Sequence, residues 1–221
     1  MDETLLRCGP FGARDGEGRV LFEGAVLELG ERTVTVLEGA SGCGKSTLLR
    51  MAAGLAPVEG TPVRRLAGRE YAPGELPSWR ARVTLLAQDA PVLPGSIRWN
   101  LEAPFALRAA AGRRFDPERA RALLDATGLG RLGEAREARS LSGGERHRLA
   151  LVRGLLWDPP VLLADEPFSG LDRETAAACW ALLEAFARRP GHAALAVLHD
   201  PAPGGAAVSR LRLGPAGLEA P

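Results

Sequence analysis

The chain has 221 residues, 46% of them hydrophobic and 25% charged, with a formal net charge of +1. That balance suits a globular chain with a core large enough to fold alone, as one large domain or one domain with two lobes. It excludes a broad basic footprint for nucleic acid, and no run approaches the roughly 18 uninterrupted apolar residues of a bilayer-crossing helix.

The first residues, Met1-Asp2-Glu3-Thr4, are acidic and lack the basic-then-apolar layout of a signal peptide. Cys8, Cys43 and Cys179 are odd in number and widely spaced, which argues against a disulfide framework or a zinc site. A reducing cytoplasm is therefore the expected compartment. Lys45 is the sole lysine, Gln88 the sole glutamine and Asn100 the sole asparagine, in a composition rich in Ala, Gly, Pro, Arg and Leu. Where such a bias has nearly removed a residue type, a survivor is expected where its chemistry cannot be replaced.

In chain order, Val34–Leu37 reads as a β-branched strand running into a glycine-rich turn. A helix over Ser46–Ala53 follows, closed by Gly54. Val83–Ala87 is a second apolar strand. From Asp89 to Asp158 the pattern becomes helical. Asp116 suits an N-cap and Pro117 the first helical position, and Gly128 ends that helix. Ser142 and Glu145 form an S-x-x-E capping box for a helix that runs to Trp157 and stops at Asp158-Pro159-Pro160. Val161–Ala164 is a wholly apolar run of strand length, as in the centre of a parallel sheet. A helix over Arg173–Arg188, a buried strand over Ala193–Leu198 and a weaker one over Val208–Leu213 complete the chain. This alternation predicts an α/β fold with a mostly parallel sheet.

Gly39-Ala40-Ser41-Gly42-Cys43-Gly44-Lys45-Ser46-Thr47 matches G-x-x-x-x-G-K-[ST]. Such a loop wraps backbone N–H groups around an anion, and the following helix adds its positive end. Lys45 is expected between the β- and γ-phosphates and Ser46 on Mg²⁺. Cys43 is read as a small loop residue. Asp165 and Glu166 end an apolar strand, where a carboxylate faces the ligand crevice of a parallel sheet. His147 and His192 are read as structural.

Leu141-Ser142-Gly143-Gly144-Glu145 resembles the LSGGQ signature of ABC ATPases, with Glu145 where glutamine is commonest. Val161–Glu166 resembles the family's Walker B strand with its extra glutamate, and Ser169-Gly170-Leu171-Asp172 its D-loop. Gln88 resembles the Q-loop glutamine and His199 the switch histidine. The motifs stand in the family's order across essentially the whole chain, so it resembles an ABC transporter ATP-binding subunit. The resemblance implies a P-loop NTPase fold of ABC type: residues 1–88 and 159–221 as a catalytic core with an antiparallel β region, and 89–158 as an inserted helical lobe.

That resemblance implies Mg-ATP hydrolysis in a head-to-tail dimer beneath a separate membrane permease. Glu166 would act as general base, with Lys45, Gln88 and His199 around the γ-phosphate. Ser46, Asp165 and Gln88 would surround the metal. Ser142, Gly143, Gly144 and Asp172 would meet the nucleotide of the opposite subunit. Phe11, or failing it Phe22, would stack on adenine. Gln88-Asp89 would open the groove for the permease, with Trp99 and Phe105 either facing it or filling the lobe. Gly95–Leu101 resembles an exporter-type stretch, also found in a bacterial group of iron-export type, and points to export. The other readings are a soluble ABC ATPase acting on DNA or ribosomes and a small-molecule P-loop kinase.

Overall fold

The computed structural model describes residues 4–110, 112–198 and 209–220. In chain order its elements are β1 (Thr4–Arg14), β2 (Val20–Gly30), β3 (Val34–Glu38), α1 (Lys45–Ala52), β4 (Val63–Leu66), β5 (Arg69–Glu70), α2 (Leu76–Arg80) and β6 (Val83–Leu86). There follow α3 (Ile97–Glu102), α4 (Pro117–Ala126), α5 (Gly143–Trp157), β7 (Val161–Asp165), α6 (Arg173–Ala187), β8 (Ala193–Val197), β9 (Ser209–Gly214) and β10 (Gly217–Glu219).

Two sheets result. The six-stranded sheet has the order β10-β9-β3-β8-β7-β6. Its strands from β9 to β6 run parallel, and β10 returns antiparallel on β9. Every residue of β7 and β8 is buried, which is why both read as unbroken apolar runs. Their side chains alternate between two cores. Val161 and Leu163 join the core under the antiparallel sheet, while Leu162 and Ala164 join the one under α5 and α6.

The four-stranded antiparallel sheet, ordered β2-β1-β4-β5, covers α1 and the first of those cores. Its long β1–β2 hairpin turns through Asp15, whose Oδ1 accepts from the backbone N–H groups of Glu17 and Arg19 at 2.9 Å each. This local Asx-type bonding fixes the turn between two glycine-rich strands.

The helix ends follow their chemistry. Asp116 Oδ1 accepts from Glu118 N and Arg119 N at 3.0 Å each, with Pro117 opening α4. Ser142 and Glu145 cap α5 reciprocally. Asp158, at φ 59°, stops α5 in the left-handed region before the two prolines. The segment between β6 and β7 holds no strand among its described residues and packs a core of its own around Ile97, Leu101, Leu124 and Leu149.

Asn100 is fully buried in that core. Its Nδ2 donates to the carbonyls of Leu93 and Ser96 at 3.0 Å each, and its Oδ1 accepts from Leu93 N at 2.7 Å. One amide thus satisfies three backbone groups of the turn before α3, which accounts for the sole asparagine. Asn100→Ala should cost about 2 kcal/mol of unfolding free energy, because those groups stay buried without partners. Urea denaturation checks this; an unchanged midpoint would contradict the role.

Candidate functional site

The loop between β3 and α1 leaves the C-terminal edge of the parallel sheet, as in other crevice-facing loops of such sheets. Gly44 adopts φ 99°, and a Cβ there would lie 2.8 Å from Phe22 Cε1. Both conformation and space therefore demand glycine. Helix α1 starts with no side-chain cap and no acidic residue in its first turn. Its uncapped N–H groups and positive dipole end suit an anion. Lys45 Nζ donates to Gly39 O at 2.8 Å and Ala40 O at 2.9 Å, folding the ammonium over the loop. Ala40, Ser41 and Gly42 are exposed, and Cys43 packs half-buried against the core.

Asp165 ends β7 at 2% exposure. The Ser46 hydroxyl lies beside its carboxylate and favours the charged form, but among the described residues Oδ1 has no partner. Burial, followed by the adjacent Glu166 charge, holds this carboxyl above its ordinary value, against the Ser46 hydrogen bond and the Arg50 and Lys45 charges. A buried carboxylate oxygen without a partner is costly and is relieved by a cation. With a hydroxyl beside it, the donor set is all oxygen, which fits Mg²⁺.

Glu166 sits in the left-handed region at φ 50°, with its N–H donating to Val197 O at 3.2 Å. Gln88 Nε2 donates to Glu166 Oε2 at 2.9 Å. The glutamine therefore engages the neighbouring glutamate, while Ser46 engages Asp165. His147, in α5, bonds the Gln88 carbonyl through Nε2 at 2.7 Å. Nothing in the residue spacing signals that contact, since it spans 59 positions.

In α5, Glu145 Oε2 accepts from Ser142 N at 2.8 Å, and Glu145 N donates to Ser142 Oγ at 3.3 Å. The hydrogen bond from Ser142 N is the main cause holding the Glu145 carboxyl below its ordinary value. The two glycines differ. A Cβ on Gly144 would lie 3.0 Å from Leu171 Cδ2 and 3.1 Å from Gly170 O, whereas a Cβ on Gly143 meets nothing within 4 Å. Gly144 is thus explained by packing on the Ser169–Asp172 loop of the same chain, and only Gly143 leaves open space for a ligand. Asp172 caps α6, accepting from Thr175 N at 2.9 Å and Thr175 Oγ1 at 2.7 Å. Among the described residues, no hydrogen bond joins Ser142, Gly143 or Gly144 to the 39–47 loop.

The adenine-stacking expectation needs correction. Phe11 is 2% exposed and Phe22 0%, both in the core between the two sheets. A ring committed to that core has no free face for a base; Phe22 instead covers Gly44. Alternation along β1 turns Phe11 inward, and a one-letter sequence crowded with glycines does not reveal which face it takes. His199 lies outside the described residues. Phe105 stacks edge-on against Phe115 and Trp157, at 5.8 and 5.6 Å between centroids, so it fills the helical segment's core. Trp99 is 49% exposed.

A second concave feature lies between the sheet and the helical segment. It is a groove of about 480 Å³, lined among others by Pro77, Arg80, Leu86, Leu107, Arg153 and Trp157. Burial pushes the Arg153 guanidinium below its ordinary value.

A family profile described as ABC transporter matches residues 22–169. The chain is 40% identical over 205 residues to the thiamine import ATP-binding protein ThiQ of Cereibacter sphaeroides, covering 91% of this chain and 81% of that one. It is 36% identical to the aliphatic sulfonates import ATP-binding protein SsuB of Cupriavidus necator, covering 83% of this chain and 57% of that one. It is 40% identical to the Fe(3+) ions import ATP-binding protein FbpC of Streptomyces avermitilis, covering 83% and 52%. The chain thus spans four fifths of the first relative and little more than half of the other two. Among solved structures, a bacterial Atm1-family ABC exporter with ATP bound aligns with TM-score 0.77 and 22% identity, over 96% of this chain and 38% of that one. The cbiO1 protein of Clostridium perfringens aligns with TM-score 0.69 and 21% identity, over 90% and 79%. At those identities the likeness is one of fold.

Asp165→Asn separates stability from chemistry. A carboxyl whose folded value is raised stabilises the fold only at acid pH and weakens it as pH rises through that value. The nucleotide-free variant should therefore have an equal or higher urea midpoint at pH 7, the difference vanishing below about pH 4. Its Mg-dependent ATP hydrolysis should fall by at least about 100-fold. A lower midpoint at pH 7 with full hydrolysis would contradict the cation site.

Proposed function

The chain belongs to the ABC transporter family, and from that premise we propose that it is the ATP-hydrolysing subunit of an importer, closing head to tail on a second copy beneath a separate membrane permease. It is an ATP hydrolase whose substrate is Mg-ATP. The observation that carries the site assignment is the buried, half-satisfied Asp165 beside Ser46, at the sheet edge from which the phosphate loop springs.

In the proposed reaction Lys45 leaves the carbonyls of Gly39 and Ala40 for the phosphates, which offer the ammonium stronger, charge-assisted acceptors. The loop N–H groups from Gly39 to Thr47 grip the same oxygens. Ser46 and Asp165 would hold magnesium, which would supply charge neutralisation on the transferred phosphoryl group. Glu166 orients the attacking water and takes its proton, and Gln88 holds one of its oxygens in place. His199 contacts the γ-phosphate and links it to Glu166.

Ser142, Gly143 and Gly144 complete the site of the opposite copy. Two features support this: the open space at Gly143, and the absence of any hydrogen bond from these residues to their own phosphate loop among the described residues. Asp172, as the cap of α6 next to Gly144's contact loop, borders that seam. Residues 1–88 and 159–221 serve as the catalytic core and 89–158 as the helical lobe. The groove carrying Arg80 and Arg153 receives the permease, and no helix among the described residues is long and apolar enough to cross a membrane. The subunit works as a peripheral protein on the cytoplasmic face.

Import replaces the export expected from Gly95–Leu101. In the structure those residues serve their own turn: Ser96 caps α3 and Asn100 satisfies Leu93 and Ser96. The three curated relatives are named for import, which favours the same direction here.

Glu166→Gln should still bind Mg-ATP yet hydrolyse it at least about 100-fold more slowly, and should elute as a dimer only with ATP. Ser142→Arg should bind ATP as a monomer, fail to dimerise and lose hydrolysis. Size-exclusion chromatography with and without nucleotide distinguishes these outcomes. A monomeric Glu166→Gln hydrolysing at the parental rate sinks the base assignment. A fully active Ser142→Arg sinks the shared site.

A further inference from the structure

We infer that His147 is a positioning residue for hydrolysis: its ring ties Gln88 to the helix that begins at Ser142, so the grip of Gln88 on Glu166 follows that helix. Residue type, distance and direction each support this. The Gln88 carbonyl can only accept, so the 2.7 Å contact requires His147 Nε2 to carry the hydrogen. His147 Nδ1 is buried and, among the described residues, without a partner. Among the described residues the ring therefore makes one polar contact, and that contact is to Gln88.

The same residue, Gln88, reaches Glu166 with its side chain at 2.9 Å. Backbone and side chain of one residue are thus bonded to two different elements: α5 on one side, the end of β7 on the other. Moving α5 relative to the sheet pulls the Gln88 peptide and with it the amide that holds Glu166. A second tether reinforces the first. Arg153, six residues further along α5, donates from Nη2 to Pro91 O at 2.9 Å. The 88–91 loop is accordingly fastened to α5 at both of its ends, with Ala90 at φ 41° between them.

Given Glu166 as the residue that handles water, a shift of the carboxylate by a fraction of an ångström changes the rate without changing affinity for nucleotide, since among the described residues the hydrogen bond of His147 goes to Gln88 O and not to the phosphate loop. Displacement of Ser142 by a second copy's nucleotide would thereby be felt at the chain's own base through His147 and Gln88.

The composition of the chain supplies the test. Gln88 and Asn100 are its sole glutamine and asparagine. A ¹⁵N spectrum of the full chain therefore shows one side-chain amide from the site and one from a buried structural position as an internal reference. His147→Leu removes the donor, and His147→Gln restores one at the same reach. With Mg-ATP, His147→Leu should lose about ten-fold in kcat with KM within about two-fold, and His147→Gln should recover most of the loss. In nucleotide-free His147→Leu the Gln88 amide resonance should move while the Asn100 amide stays. A Gln88 amide left in place overturns the inference, as does a His147→Gln variant as slow as His147→Leu. Movement of the Asn100 amide together with a lowered melting temperature also overturns it, because His147 would then be ordinary packing. Failure of the hydrolytic assignment itself would appear separately, as a Glu166→Gln variant with parental turnover.

Discussion

Around one buried oxygen the whole arrangement is organised. Asp165 Oδ1 is inaccessible and, among the described residues, unbonded, at the end of a strand whose every residue is buried. A carboxylate in such a place costs free energy unless a proton or a cation joins it. The sheet explains why the cost is incurred at that point. β3, β8 and β7 run parallel in adjacent register, so the loop after β3 and the carboxylate after β7 emerge on one edge, with Ser46 reaching between them. The stability lost there is recovered in the two apolar cores on either face of the same strands.

Two other polar side chains of the site are bonded inside the chain. Lys45 bonds the carbonyls of its own loop, and Gln88 bonds Glu166. Each is a hydrogen bond that an incoming phosphate or water must displace, and a charged phosphate is the stronger partner for an ammonium. The loop thus keeps its shape without a ligand, while the groups that define the shape are those a ligand recruits. For the proposed site, the change nucleotide would bring to Lys45 and Gln88 is therefore an exchange of hydrogen-bond partners.

Much of this was legible in the sequence, for identifiable reasons. Caps are local, so Asp116-Pro117 and Ser142/Glu145 marked α4 and α5 correctly. Unbroken apolar runs revealed β7 and β8. The antiparallel sheet was harder to see, because β1 and β2 carry glycines and shift register repeatedly, which breaks the alternation that marks a strand. The same irregularity hid the inward direction of Phe11. β10, three residues long, is shorter than any periodic signal. The packing of Gly144 on Gly170 and Leu171 was not visible, because those neighbours are distant in sequence. Gln88 was named as a candidate site residue, but its bonding to Glu166 and to His147 depends on three elements meeting, which no local pattern encodes.

Helix α5 explains how a site at the sheet edge is joined to the helical segment. Leu149, Val152 and Leu156, at helical spacings of three and four, pack into the core of that segment. Leu151 and Leu155, one turn apart on another face, pack beneath the sheet with α6. A helix apolar on two faces is buried between two bodies and belongs to both. Close packing on each side leaves it little room to slide independently, because interiors resist small displacements. Its first turn carries Ser142 and Gly143, and the next carries His147 beside Gln88. A rigid rod that begins at the surface and is clamped in two cores transmits its orientation along its length. The residue types that make it rigid, a leucine-rich body behind a serine–glutamate cap, are the ones that made it readable from the sequence.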